Sequence, residues 1–195
     1  MRIIGGTAAG LILQTPQGFG VRPTPDLVRQ AIFNSLGDRV VNARVLELFG
    51  GTGALSLECL SRGAAQATCV ELSRKHARFI ERNADAVGAA PGAFQLRLQD
   101  VFTAIPKLAA EGRVFDLILA DPPFGDKNVG RRSTSMSQEL LDDELLPGLL
   151  APGGLFVLGH TRRDTVTITA AWRETREMKH GDSMMRFLER NVTAG

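Results

Sequence analysis

The chain has no tyrosine, one tryptophan and three histidines among its 195 residues. It has two cysteines, Cys59 and Cys69, and no CxxC pair. This excludes a disulfide framework and a thiolate metal centre, and suits buried reduced thiols in a cytosolic protein. His76, His160 and His180 are too scattered for metal-ligand spacing, so no metal is expected. No apolar run approaches the roughly 20 residues needed to cross a bilayer. The first residues, MRIIGGTAAGLILQTPQG, are broken by glycines and lack the apolar stretch of a secretory signal. A cytoplasmic protein with no membrane partner is expected. Charge of one sign is also missing. Lys and Arg total 23 against 21 Asp and Glu, a net charge of +2. Any nucleic-acid contact must then come from local clusters rather than a global field. Repeats and low-complexity linkers are absent, so a single domain over 1–195 is expected, with an extension at 1–37 and a core at 44–195.

What is present is a regular alternation. Arg2–Ile4 and Leu11–Gln14 flank a Gly-rich turn and read as a hairpin. RPTPDLVRQAIFNSLGD then opens a helix, with Thr24 as N-cap, Pro25 at the first helical position and Asp26 at the positive end. Leu27, Val28, Ala31, Ile32 and Leu36 form its apolar face, and Gly37 ends it. From Arg44 onward, strands at 44–48, 67–71, 94–99, 115–120 and 154–160 alternate with helices at 54–62, 73–87, 101–110 and 138–150. Short apolar strands alternating with helices imply an α/β fold with a parallel sheet. Runs at 175–180 and 184–191, separated by Gly181-Asp182, predict a terminal antiparallel hairpin. Trp172 is expected to pack in the core or the hairpin rather than to serve as a platform for a base.

Ligands of open α/β sheets bind outside the carboxyl ends of the strands, and chemistry-bearing residues gather at four such ends. The first is VLELFGGTGALS. Its glycines at 50, 51 and 53 permit a sharp strand-to-helix turn and close backbone approach. Ser56 stands where a dinucleotide fingerprint needs its third glycine, and no GK[ST] follows. The spacing Glu47-x-Phe49-x-Gly51-x-Gly53 instead looks like the nucleotide loop of S-adenosylmethionine-dependent methyltransferases. Glu71, with Leu72 beside it, closes the next strand about 20 residues later, where a carboxylate can accept from both ribose hydroxyls. Read alone it would be a surface acid. Asp100 ends the third strand before Val101 and Phe102. It can accept from the adenine amine, flanked by apolar neighbours, or cap the next helix, and both roles can coexist.

The fourth end is DLILADPPFGD. Proline lacks an N–H and fixes φ, so Pro122 and Pro123 make a stiff loop with carbonyls set in direction. Asp121 and a rigid carbonyl supply two neighbouring acceptors, which suits an exocyclic amine with two N–H donors. Phe124 can stack on a base without any hydroxyl. Asp121 would stabilise the charge that grows as a methyl bonds to the nitrogen, and take the proton. A plain strand-ending turn is the alternative.

These stretches resemble a known family. MRIIGG, RPTPDLVRQAIFNSL, VLELFGGTGALSLECLSRGA, VEL and FDLILADPPF, spread over most of residues 1–160, are similar to bacterial 16S rRNA (guanine-N2) methyltransferases of the RsmD type. The resemblance implies S-adenosylmethionine as methyl donor, N2 of a guanine in 16S rRNA or a small-subunit assembly particle as acceptor, and a monomer. It also implies a Rossmann-like class I S-adenosylmethionine-dependent methyltransferase fold with a mostly parallel seven-stranded sheet, an N-terminal hairpin and helix extension, and a C-terminal antiparallel hairpin. The chain departs from the pattern in reading GTAAGLIL where the family usually carries basic residues, and in having Phe124 where it usually has tyrosine. After Thr161 the match is loose.

Candidate RNA contacts are Arg22, Thr24, Arg29 and Asn34 around the first helix, and Lys127, Arg131 and Arg132 in GDKNVGRRSTS, which reads as a mobile lid over the site. Three other readings stand beside the rRNA enzyme. A DNA enzyme usually needs a target-recognition domain for which there is no room. A glutamine-modifying enzyme usually has asparagine at the position of Asp121. A non-catalytic RNA-binding protein would not need Glu71, Asp100 and Asp121 intact.

Overall fold

A computed structural model describes residues 1–16, 24–123, 128 and 131–191. Among these residues seven strands make one sheet, in the order β3 (Phe94–Leu98), β2 (Gln66–Glu71), β1 (Arg44–Leu48), β4 (Phe115–Ala120), β5 (Leu150–Thr161), β7 (Ser183–Arg190) and β6 (Trp172–His180). The chain groups into two compact units, Met1–Ala104 and Ile105–Gly195.

The first unit begins with a hairpin reduced to a single antiparallel bridge, Arg2 to Ile12. Backbone bonds from Ile3 N to Leu11 O and from Leu13 N to Met1 O flank it. Then come α1 (Asp26–Leu36), a 3-10 turn (Gly37–Val40), β1 (Arg44–Leu48), α2 (Ala54–Ser61), β2 (Gln66–Glu71), α3 (Arg74–Val87) and β3 (Phe94–Leu98). β1 pairs with β2 and β2 with β3, both parallel. The strand residues behave as the alternation predicted: Val45, Leu46, Leu48, Ala67, Cys69 and Val70 are all buried. Ile3 and Leu13 of the hairpin pack with Leu57 and Ala84, so the extension shares a core with α2 and α3.

α1 differs from expectation in two ways. Pro25 is its N-cap, with ψ of 148° and no side-chain cap bond, and Asp26 is the first helical residue. Thr24 therefore lies one residue outside the cap, because the Pro25 carbonyl already accepts the first helical bond, from Arg29 N. The buried stripe is Val28, Arg29, Ile32, Phe33 and Leu36, whereas Leu27 is 62% exposed.

α4 (Val101–Ala110) leads into the second unit, which holds β4 (Phe115–Ala120), α5 (Met136–Asp142), α6 (Leu146–Leu149), β5 (Leu150–Thr161), β6 (Trp172–His180) and β7 (Ser183–Arg190). β4 and β5 are parallel, and β5–β7 and β7–β6 antiparallel, so the terminal hairpin forms as expected, with its first strand starting three residues earlier. The single helix expected at 138–150 is instead two, and β5 starts four residues before the strand expected at 154–160. Asp143 leaves the helix with ψ of 123°, and its Oδ1 accepts from both Leu145 N and Leu146 N at 2.8 Å. A side chain thus takes over the amides that a continuous helix would use. Trp172 is buried against Phe156, ring centroids 5.1 Å apart. Outward along β6, Arg173, Glu174, Arg176, Glu177 and Lys179 are exposed. They form ion pairs such as Lys179–Glu177 and Arg186–Glu174. No helix among the described residues is long and apolar enough to cross a membrane.

Candidate active site

The turn after β1 has an unusual backbone. Phe49, Gly51 and Gly53 all have positive φ, at 62°, 59° and 74°. Glycine adopts this freely, but Phe49 does so at a cost of roughly 1 kcal/mol or more, and its ring meets Phe102 edge-on at 6.3 Å. Gly50 is required for space rather than for φ. A Cβ there would lie 2.3 Å from Cys69 Sγ and 3.3 Å from Ile80 Cδ1. Gly53 N closes the turn on Gly50 O at 2.7 Å, and Gly50 N bonds Val70 O at 2.9 Å.

Two buried acids clamp this loop. Glu71, at the carboxyl end of β2, accepts from Gly51 N through Oε2 and from Ser73 N through Oε1, both at 2.7 Å. His76 Nδ1 lies 3.4 Å from Oε1. Leu72 beside it is 68% exposed, a large apolar side chain facing water at a strand end. Glu47 was expected among the cofactor contacts, but its carboxylate faces inward. It is 2% exposed and accepts from Leu55 N, Ser56 N and Ser56 Oγ, so it shapes the start of α2. Burial raises its pKa to about 7, against the hydrogen bonds that lower it.

That shift has a measurable consequence. Between about pH 4.5 and 7 the folded protein binds a proton at Glu47 that the unfolded chain has released. Stability from this group therefore falls as pH rises through that window, by up to about 3 kcal/mol in total, and is level above it. His160 acts in the opposite direction. Burial and then Arg186 lower its pKa, so its contribution rises with pH. Subtracting the melting curve of Glu47→Gln from that of the wild type between pH 5 and 8 isolates the first effect. The difference should tilt towards greater wild-type stability at low pH, and a flat difference would contradict the buried acid.

Asp100 Oδ1 caps α4, accepting from Thr103 N at 3.0 Å and Thr103 Oγ1 at 3.3 Å. Both readings of this residue stay open, because no hydrogen bond to Oδ2 occurs among the described residues. Val101, also expected near the ligand, is 3% exposed and belongs to the core.

In the second unit, Asp121 follows β4 and is partly exposed, Pro122 is buried and Pro123 is exposed. The carboxylate of Asp121 fills space left by a missing side chain. A Cβ at Gly159 on β5 would lie 2.3 Å from Asp121 Oδ1. Ser137 Oγ donates to Gly159 O at 3.1 Å and ties this stretch of β5 to α5.

Arg22, Phe124 and Lys127 lie outside the described residues. Asn34 is exposed and Thr24 partly so. Arg131 is exposed. Arg132 is exposed too, but it pairs with Asp142 at 2.6 Å. Arg29 does not present its charge to solvent. It is 0% exposed and donates through Nη2 to Arg2 O at 2.5 Å and Asp26 Oδ1 at 2.7 Å. The lid expectation fails over 131–135, where Ser133 and Ser135 are buried and Ser135 Oγ donates to Asp164 Oδ2 at 2.6 Å. Further back, Asn128 Oδ1 accepts from Thr165 N at 2.8 Å.

Three polar residues with no part in the sequence expectations turn out to be central to the first unit. Glu58 is fully buried and holds Ile4 N, Gly5 N and Arg62. Ser61 holds Ala8 N and Gly5 O. Asn83 holds Gln14 and Thr52. The acid inside the apolar run ALSLECLS was the one available signal, since a charge in a buried helix needs partners.

Comparison with known proteins follows the same lines. Residues 1–189 match a family model described as "Conserved hypothetical protein 95". Ribosomal RNA small subunit methyltransferase D of Escherichia coli (strain K12) is 34% identical over 193 residues, 98% of this chain and 91% of that protein. The putative rRNA methyltransferase YlbH of Bacillus subtilis is 30% identical over 145 residues, 74% of this chain and 78% of that protein. Among solved structures, the putative methyltransferase yhhF from Escherichia coli superposes with a TM-score of 0.78 at 33% identity, covering 99% of both chains. The chain belongs to this methyltransferase family, whose members include ribosomal RNA small subunit methyltransferase D.

Proposed function

We propose that the protein transfers a methyl group from S-adenosylmethionine to the exocyclic N2 amine of one guanine in 16S rRNA of the small subunit, acting as a cytoplasmic monomer. The donor residues of the first unit fit such a molecule. Glu71 offers a buried strand-end carboxylate already tied to the glycine loop, Leu72 an exposed apolar side chain, and Asp100 Oδ2 an acceptor suited to an amine. The loop has no lysine for a phosphate, in keeping with a ligand that lacks one. Glu71 would hold the ribose hydroxyls, Asp100 and Leu72 the adenine, and the backbone at 49–53 the amino-acid tail. When bound, S-adenosylmethionine supplies a methyl group on a positively charged sulfur.

The observation that carries the reading is Asp121, a partly exposed carboxylate followed by two prolines at the end of β4. The guanine amine has two N–H groups. Asp121 accepts one and the rigid Pro122 carbonyl the other, which directs the nitrogen lone pair at the methyl carbon. As the N–C bond forms and the S–C bond breaks, positive charge grows on the nitrogen. Asp121 stabilises that charge and takes the proton. Much of the rate comes from holding the amine in line.

The test is transfer of labelled methyl to small subunits, naked 16S rRNA, DNA and protein, with mass mapping of the product. Label on N2 of a single rRNA guanine is expected. Label confined to DNA or protein would reject the substrate, and no detectable binding of S-adenosylmethionine would reject the enzyme.

A further inference from the structure

We propose that Asn83, in the third turn of α3 and outside the residues assigned to the donor, is the positioning residue that sets the glycine loop for binding. The inference rests on the reading of that loop as the donor site.

Asn83 is 1% exposed, and its amide is fully committed. Oδ1 accepts from Gln14 N at 2.8 Å. Nδ2 donates to Gln14 O and to Thr52 O, both at 3.0 Å. These partners fix which end is oxygen, since one side meets an N–H and the other two carbonyls. Gln14 ends the N-terminal hairpin, and Thr52 sits between Gly51 and Gly53, the two left-handed glycines of the loop. One side chain thus joins the extension to the turn.

The other backbone hydrogen bonds of the loop stay within it or run to β1, β2 and α2, and the Thr52 carbonyl is its bond to α3. Glu71 takes Gly51 N, Gly50 O takes Gly53 N, and Glu47 takes the amides that open α2. Gly50 O already holds the N–H of the Thr52–Gly53 peptide, and the bond from Asn83 to Thr52 O holds the other end of the same peptide, so its plane is fixed from both sides where Gly53 itself offers little steric resistance. Among the described residues Asn83 is the side chain that pins the Thr52 oxygen. Thr52 Oγ1 also reaches Met1 Sδ, at 3.7 Å, so the hairpin touches the same residue directly. Aspartate is the same size as asparagine but would set an oxygen against two carbonyl oxygens, so the need is for the amide and not the volume.

Calorimetric titration of S-adenosylmethionine, paired with melting curves, separates a loop role from a merely structural one. Asn83→Ala should bind at least about ten-fold more weakly while still folded at the titration temperature. The control is Ser61→Ala, which removes hairpin bonds to Ala8 N and Gly5 O but touches no loop residue. It should lower the melting temperature and leave affinity within about two-fold. If Asn83→Ala does not fold, Asn83→Asp answers the same question and should bind at least as weakly. Wild-type affinity in a folded Asn83 variant, or an equal loss in Ser61→Ala, overturns the proposal. If the wild type itself binds no S-adenosylmethionine, the donor reading fails instead.

Discussion

Asp121→Ala is expected to lower kcat by at least about 100-fold while leaving the affinity for S-adenosylmethionine within about two-fold. The kinetic loss is of the size seen when one preorganised group facing a developing charge is removed. A neutral amine is a poor nucleophile when its lone pair is free to point away. It also becomes strongly acidic as the fourth bond forms, and the role proposed for Asp121 answers both problems. The affinity prediction follows from the assignment of roles, because every proposed donor contact comes from residues 49–100 and none from β4 onward. Asp121→Asn keeps an acceptor but cannot take a proton, so it should fall between the wild type and alanine. Single-turnover transfer with saturating donor measures the first quantity and calorimetry the second. A full-rate alanine variant would remove Asp121 from the mechanism, and loss of donor binding would mean that its assigned role is wrong.

The second large effect is steric. Gly50→Ala should lower the melting temperature by several degrees and weaken donor binding at least ten-fold. Its new methyl would lie 2.3 Å from Cys69 Sγ, well inside van der Waals contact. Cys69 cannot step aside, because it sits mid-strand in β2, paired with Glu47 on one side and Leu96 on the other. Overpacking of this sort costs about 1–3 kcal/mol, and here the strain would be relieved by moving the loop. The remedy is specific. Adding Cys69→Ala removes the sulfur and should recover most of both losses, since the next neighbours are Ile80 Cδ1 at 3.3 Å and Val70 O at 3.5 Å. Failure of that rescue would mean that the glycine is needed for something other than room beside Cys69.

What could be read from the sequence was whatever depends on neighbours along the chain. The strands from Arg44 to Ala120 were legible because their buried residues are consecutive and bounded by turn residues. The positions of the glycine loop, Glu71 and Asp121 at strand ends were legible because each follows a short apolar run, and the roles proposed for them rest on where such sheets hold ligands. The failures have local causes of another kind. Asp143 broke a helix that periodicity made continuous, because side-chain acceptance by an Asp is as available inside an apolar pattern as outside it. Arg29 looked like a surface cation, but Arg2 O and Asp26 gave it partners that allow a guanidinium to be buried. Asn83 was invisible because its bonds reach Gln14, 69 residues away, and Thr52, 31 residues away. An asparagine in the middle of a helix otherwise carries no hint of them. Glu47 shows the same limit within the loop motif. The residue is where the pattern put it, yet its carboxylate serves the loop from behind.

The charged row on β6 bears on how the protein behaves at high concentration. β6 is the last strand of the sheet, and the outermost strand of any open sheet is a template on which another copy can lay its own backbone. Arg173, Glu174, Arg176, Glu177 and Lys179 occupy most of its length. An incoming strand would have to strip water from all of them and disturb pairs such as Arg173–Glu189 and Arg186–Glu174. The terminal hairpin thus closes the growing side of the sheet with charge where another fold would use a covering helix, a guard against self-templated aggregation.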